Sequence, residues 1–400
     1  MIDNEKSINE LLTRSIVEIL PTKEGLREAL ESGRRLRIYI GTDATGTSLH
    51  LGHATNYMIL EKFRRLGHEV IFLVGDFTAR IGDPTDKSDS ARRQLTREQV
   101  KENVKTWIDQ VKPVIDIDNQ KNPVKVLYNY DWLSILTFED ILNLASNFTV
   151  QQMIERDMFQ KRIQDKKPLY LHELFYPLMQ GYDSVAMDID MEMCGMDQKF
   201  NALAGRTLLK KIKNKEKFVF ITTLLENSVT GEKMMSKSLG TGVFLDFDMD
   251  KMYGSLMAQS DENMRQLFVD CTWLDLEEIE RILNVNNSRD AKARLAFEIT
   301  KIYHGEKNAK LAEEHFESTF KSGNLPENIK ETKAEMGELL MDIVLREKLV
   351  SSKSEFRRLI GEGAVSNTET KEKITDPFFK ITGNLTIRIG PLRFLKIILN

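Results

Sequence analysis

Four hundred residues exceed what one compact core organises and point to two or three domains, and 41% apolar residues suffice to fill them. Against 61 acidic side chains stand 57 basic ones, a formal charge of −4, which excludes a uniformly basic nucleic-acid coat but permits local basic faces. Cys194 and Cys271 lie far apart in sequence and form no CxxC pair, so they support neither a disulfide framework nor a cysteine zinc site. Acidic residues come early in the N-terminal stretch, unlike a secretory signal, and no run reaches the roughly 20 apolar residues of a membrane span, so a soluble cytoplasmic protein is expected.

Residues 1 to about 33 are expected to be helical, with Ile8, Leu11, Leu12, Ile16 and Ile19 as an apolar stripe before Pro21 and a second short helix over 23–32. Leu36, Ile38 and Ile40 then alternate as a half-buried strand does. In the stretch IYIGTDATGTSLHLGH, residues 38–53, the alternation breaks at Gly41, Thr42, Asp43 and Gly46, whose small or polar character lets a ligand approach the backbone. The turn delivers His50, Gly52 and His53 to a helix start. Unpaired N–H groups and partial positive charge there accept phosphate, and two imidazoles can donate to developing negative charge. Gly52 leaves room for a flat base. The ordinary alternative is a strand-to-helix loop whose histidines only cap or pack. Next, the apolar run 69–75 suits a parallel strand buried on both faces and completes a strand–helix–strand unit, whose ligands gather at the C-terminal strand ends. At that end Asp83 sits between Gly82 and Pro84, in a loop restricted enough to pre-position its carboxylate.

A polar loop follows whose Lys87 could reach a phosphate, though most such lysines only face solvent, then one amphipathic helix over 96–110, a short strand at 125–128 and a mainly helical insertion from 132 to about 167. Phe148, Val150, Met153, Ile154 and Met158 run along one side of the insertion, as core or as a dimer contact. In YLHELFYPLMQGYD, Tyr176, Gln180 and Asp183 are spaced by four and three, so one helical face carries a phenol, an amide and a carboxylate. Burying that face is costly unless a polar ligand pairs with it. Residues 187–193 alternate as a strand with Asp188, Asp190 and Glu192 on its polar side, and Gly195, Asp197 and Gln198 at its exit suit ribose and carboxylate contacts. The run Lys210, Lys211, Lys213, Lys215 and Lys217 is expected at a solvated helix end, before a core strand over 218–225. In the loop EKMMSKSLG, Lys233, Ser236 and Lys237 lie between Gly231 and Gly240, placing lysines that swing onto polyphosphate.

Residues 246–324 read as a separate helical domain, 325–336 as a linker, and 337–400 as a small domain with a helix pair and alternating segments. From Arg346 to Asn400 there are 11 basic and 6 acidic residues, a local +5, with Lys353, Arg357 and Arg358 on one helix, which suggests RNA.

Together these stretches resemble the bacterial-type tyrosyl-tRNA synthetases of class I. HLGH (50–53) is similar to the family's HIGH motif, MSKS (235–238) to its KMSKS loop, and YPLMQGYD (176–183) to its tyrosine-holding stretch. The DQ at 197–198 and GDP at 82–84 complete five motifs in the family's order, and SKSEFRRLIGEGAVSN (352–367) resembles an S4 RNA-binding domain. The resemblance implies a Rossmann-like parallel-sheet catalytic domain over 1–230 with an insertion at about 131–170, a KMSKS-like loop at 231–245, a helical anticodon-recognition domain and an S4-like α+β tail. It implies that Tyr39 and Asp183 hold the hydroxyl of L-tyrosine, that Asp83, Tyr176 and Gln180 hold its ammonium, and that Gln198 meets its carboxylate end. Gly41, Asp43, Gly52, Gly195, Asp197 and Ser236 would form the ATP surface, with Thr45, His50, His53, Lys233 and Lys237 acting on the nucleotide and leaving pyrophosphate. ATP enters as substrate with its Mg2+, no protein-bound metal is implied, and tRNA(Tyr) and a second copy of the chain are the expected partners. Two positions depart from the pattern. Met234 stands where the first KMSKS lysine belongs, and Cys194 replaces the first of two glycines, placing a side chain near the ribose. The competing readings are an RNA-binding paralogue without charging activity and a nucleotidyltransferase for another carboxylic acid.

Overall fold

The computed structural model describes residues 4–83, 96–226, 234–235, 242–285, 287–321, 330–347, 349–350, 352–390 and 393–399. Six strands build the sheet of the first unit: β1 (Ile16–Leu20), β2 (Arg37–Asp43), β3 (Glu69–Gly75), β4 (Lys125–Tyr128), β5 (Met191–Gly195) and β6 (Phe218–Thr222). Their order is β1-β6-β5-β2-β3-β4, with β1 antiparallel and the rest parallel. The chain leaves β2 for β3 on one side while β5 lies on the other. A crevice therefore opens between the C-terminal ends of β2 and β5, where α/β sheets take their ligands. β3 is buried along almost its whole length, as its continuous apolar run requires.

Several local expectations change in three dimensions. Ile16 and Ile19 do not continue a helix. The first helix ends at Leu11, Ser15 takes a positive φ of 60°, and the β-branched run 16–20 pairs with β6 as an edge strand. The helix expected over 96–110 is two, Arg97–Lys105 and Trp107–Val111, and the insertion is four short helices between Tyr130 and Gln164. β5 begins only at Met191: Met187 caps the preceding helix and Asp188 has φ +50°. Asp190, instead of lining a strand face, accepts from the Arg37 backbone N–H at 2.8 Å and pairs with Lys215 at 3.2 Å. β6 stops at Thr222. Lys217 is not solvated at all; its side chain is completely buried.

Contacts divide the chain into two compact units, Met1–Lys310 and Leu311–Asn400. Helices Met249–Met257, Met264–Cys271 and Leu276–Val285 belong to the first, and helix Ser288–Lys321 breaks its helical geometry at Gly305, with φ 80°. The second unit has a four-stranded sheet of β7 (Glu331–Ala334), β8 (Val365–Asn367), β9 (Leu385–Ile389) and β10 (Arg393–Leu399), ordered β7-β10-β9-β8. Residues 331–334, expected inside a linker, instead satisfy their backbone by parallel pairing with β10. Helices Leu340–Arg346 and Lys353–Gly361 cover this sheet, burying Leu340, Val344 and Phe356 against Ile387, Leu395 and Ile397.

Candidate active site

The turn after β2 is irregular, so its backbone polar groups need partners from elsewhere. The two helices over 97–111 supply them. Asn103 Nδ2 donates to the Ala44 carbonyl at 2.8 Å, Trp107 Nε1 to Gly46 at 2.9 Å and Gln110 Nε2 to Thr47 at 2.9 Å, while Gln110 Oε1 accepts from the Leu49 N–H at 2.7 Å. Held this way, the turn delivers His50 as the N-cap of helix Leu51–Arg65. His50 N donates to His53 Nδ1 at 3.2 Å and the two rings lie 3.9 Å apart. Burial lowers the His53 pKa to about 4, so the ring is neutral, and with Nδ1 accepting, its proton resides on Nε2. Gly52 leaves the His50 imidazole its room, since a Cβ would come to 3.1 Å from the ring and oblige it to shift by a few tenths of an ångström.

Both described stems of the lysine loop meet this corner. Leu51 N donates to Val243 O at 3.1 Å and Leu245 N to Leu49 O at 2.9 Å, on one side. On the other, Met234 N donates to Leu225 O at 2.9 Å, and Met235 Sδ accepts from Val243 N at 3.4 Å. Met234 is buried, so the residue standing in place of a lysine serves as an apolar anchor. Lys233, Ser236 and Lys237 lie outside the described residues.

The other end of the crevice is built from side chains. Tyr39 is buried on β2, and its hydroxyl lies 3.2 Å from Ser184 Oγ. Asp183, equally buried, accepts from Trp132 Nε1 at 2.7 Å and Asn129 Nδ2 at 3.3 Å. Burial pushes its carboxyl well above the usual range, and Glu192 and Asp43 push the same way against the two donors. Tyr176 donates to Asp43 Oδ2 at 2.9 Å, and Thr78 donates to Asp43 Oδ1 at 2.6 Å. Burial, with Asp43 and Asp83 nearby, raises the Tyr176 phenol far above its ordinary value. Only glycine fits at position 75 beneath this contact, because a Cβ would lie 2.0 Å from Asp43 Oδ1. Gln180 Nε2 donates to Glu192 Oε1 at 3.0 Å, and Gln198 Nε2 to Asp83 Oδ2 at 2.6 Å.

These groups line one cavity of about 340 Å³. It brings together Tyr39, Gly41, Asp43, Thr45, His50, Gly52, His53, Asp83, Tyr176, Gln180, Asp183, Gly195, Asp197 and Gln198. Cys194 contributes to the lining and also belongs to an apolar cluster with Ala202, Val219 and Ile221. Lys353, Arg357 and Arg358 lie exposed on the second unit, where Lys353 pairs with Asp342 at 3.0 Å and Arg358 with Glu362 at 2.7 Å. Sequence reasoning missed Thr78, Asn129, Trp132, Ser184 and the pairing of Glu192. Asn129 and Trp132 had a usable signal, since they follow the C-terminal end of β4, where the rule for strand ends also applies.

A family model described as class I tRNA synthetases (W and Y) matches residues 31–321. The curated tyrosine–tRNA ligase of Carboxydothermus hydrogenoformans is 40% identical over 415 aligned positions, covering 99% of each chain. That of Desulfotalea psychrophila is 38% identical, covering 97% of each. Among solved structures, a C-terminally truncated mitochondrial tyrosyl-tRNA synthetase of Aspergillus nidulans superposes with a TM-score of 0.66 at 22% identity, over 78% of this chain and 94% of that one. The Archaeoglobus fulgidus enzyme complexed with L-tyrosine gives 0.60 at 17% identity, over 78% and 100%. The structural likenesses carry the fold, and the sequence matches carry the family: this chain belongs to the class I tRNA synthetases of the tryptophan and tyrosine type.

Proposed function

We infer that the chain is a tyrosine–tRNA ligase, which activates L-tyrosine with ATP to tyrosyl-adenylate and pyrophosphate and then transfers tyrosine to the 3′ end of tRNA(Tyr). The observation that carries this reading is the buried floor of the cavity, lined by both Tyr39 and Asp183, with donors already seated on the carboxylate. A site built to pair a hydroxyl leaves buried polar groups unpaired when the hydroxyl is missing, a rule for which this class of enzyme is itself the standard example. Asp83, Tyr176 and Gln180 hold the substrate ammonium, and Gln198 faces the carboxylate. Asp197 and the glycines at 41, 52 and 195 receive the nucleotide beside Asp43. Thr45, His50 and the Nε2–H of His53 face the phosphates, and Lys237, Lys233 and Ser236 close over them.

ATP brings its own Mg2+ as part of the substrate. The tyrosine carboxylate attacks the α-phosphate, so no side chain forms a covalent bond, and rate comes from positioning and from charge stabilisation on the phosphates. The exposed Ile135, Phe138, Leu142 and Val150 on the insertion support a homodimer through that face. The basic helix Lys353–Gly361 supports RNA binding by the tail. No helix among the described residues is long and apolar enough to cross a membrane, and the charge balance suits a cytoplasmic enzyme.

The test is ATP–pyrophosphate exchange with tyrosine, phenylalanine and no amino acid, alongside charging of tRNA. Exchange that depends on tyrosine and rejects phenylalanine is expected. Tight RNA binding with no exchange would favour the non-charging paralogue, and sedimentation of Phe138→Glu as an unaltered dimer would remove the insertion from the interface.

A further inference from the structure

Beneath the cavity floor runs a polar chain that the roles above do not use. Lys217, the residue before β6, has a fully buried side chain and pairs with Glu192, itself 2% exposed. Its ammonium also donates to Ser184 Oγ at 2.7 Å. Space for it exists because position 205 is glycine: a Cβ there would fall 2.7 Å from Lys217 Nζ and 2.9 Å from Ser184 Oγ.

The proton directions follow from what each group can do. An ammonium only donates, and an ionised carboxylate only accepts. Ser184 therefore accepts from Lys217 and has a single proton to give, to Glu192 Oε2 at 3.3 Å or to Tyr39. Either hydroxyl can donate in its 3.2 Å contact with Tyr39: with the Ser184 proton on Glu192 the phenol donates to Ser184, and with the Ser184 proton on Tyr39 the phenol donates to Glu192, so in both cases the phenol proton is held by this pair and the Tyr39 oxygen is left to accept from the cavity. The second Glu192 oxygen accepts from Gln180 Nε2 at 3.0 Å, and Gln180 Oε1 accepts from Asn201 Nδ2 at 3.0 Å, so the amide has one orientation. The buried Lys217–Glu192 pair thus bears on two groups that line the cavity, Tyr39 through Ser184 and Gln180 through the second Glu192 oxygen.

We propose that Lys217 is a positioning residue for amino-acid selection, acting through Glu192 and Ser184 on Tyr39 and Gln180. This rests on reading the cavity as the tyrosine pocket. A buried ion pair is poor evidence of net stability, whereas fixing the orientation of neighbouring groups is a role for which one is retained.

The experiment compares full-length Lys217→Met, and the charge-neutral double variant Lys217→Met with Glu192→Gln, in ATP–pyrophosphate exchange and in thermal unfolding. The single variant is expected to raise KM for tyrosine about tenfold or more and to lower the tyrosine-to-phenylalanine ratio, with KM for ATP within about twofold. The double variant is expected to regain the melting temperature without regaining selectivity, because a glutamine at 192 can donate or accept and no longer dictates direction. It decides the matter if the single variant fails to fold. Wild-type tyrosine KM and ratio in the folded single variant, or in the double, would overturn the proposal, as would parallel losses for tyrosine and ATP. A wild-type enzyme whose exchange ignores tyrosine would overturn the pocket reading itself.

Discussion

The two ends of the cavity are made in different ways. At the end proposed for the nucleotide a short contiguous stretch, Gly41 to His53, arranges backbone and a pair of imidazoles, and its support is largely hydrogen bonding to main-chain carbonyls. At the end proposed for the amino acid the contacts are side chain to side chain, several of them across 50 or more residues, as between Trp132 and Asp183 or Tyr39 and Ser184. The first arrangement suits a common ligand, whose phosphates need N–H groups and positive potential. The second suits discrimination, since its buried polar groups are fixed by one another and a ligand without the matching hydroxyl leaves pairing capacity unfilled.

The sharpest way to break this contrast is Asp183→Asn. Its amide cannot accept as the carboxylate does from Trp132, Asn129 and a substrate hydroxyl together, so kcat/KM for tyrosine in exchange should fall about a hundredfold or more. Phenylalanine should lose far less, and an unchanged ratio would sink the assignment of this end. At the opposite end, His50→Ala should lower the rate of adenylate formation by about a hundredfold, by analogy with loss of one oxyanion donor, while tyrosine affinity stays within about twofold. Stopped-flow measurement separates the two, and a large change in tyrosine affinity would mean that the ends are not independent.

A smaller effect sharpens the same contrast. Trp132→Phe removes the 2.7 Å donor to Asp183 and keeps the ring, so KM for tyrosine should rise about tenfold with ATP unaffected. The smallest expected effect is on stability. His53 takes its proton near pH 4 when folded, against an ordinary value of 6.5, so between these values the unfolded chain binds more protons. Its contribution is fully present above pH 6.5 and is lost as pH falls toward 4. Melting temperature should therefore fall less steeply with acid over that range in His53→Asn than in the wild type, and equal slopes would place His53 in a more solvated setting.

Much of this was legible in one dimension. The apolar run at β3, the alternation into β2, and the spacing of Tyr176, Gln180 and Asp183 all reflect local periodicity, which a strand or helix must show whatever surrounds it. Asp83 and Asp197 were found because strand ends are recognisable and glycines mark them, whereas Tyr39 came only from the family resemblance. Ile16 and Ile19 fit a helical stripe equally well, and only the availability of the β6 edge made them a strand. Asp188, Asp190 and Lys217 were misplaced for a related reason: sequence shows a charge but not its neighbour.

What the sequence determined by itself is therefore the parallel α/β layout, the strand ends and the motif residues there, because backbone periodicity and small turn residues are local properties. Only the tertiary structure decided that Thr78 and Gly75 shape the seat of Asp43, that Trp132 and Asn129 hold Asp183, and that Lys217 lies inside, not in water. Each of those depends on a partner far away in the chain, and the free energy of a buried polar group is set by that partner more than by its own identity.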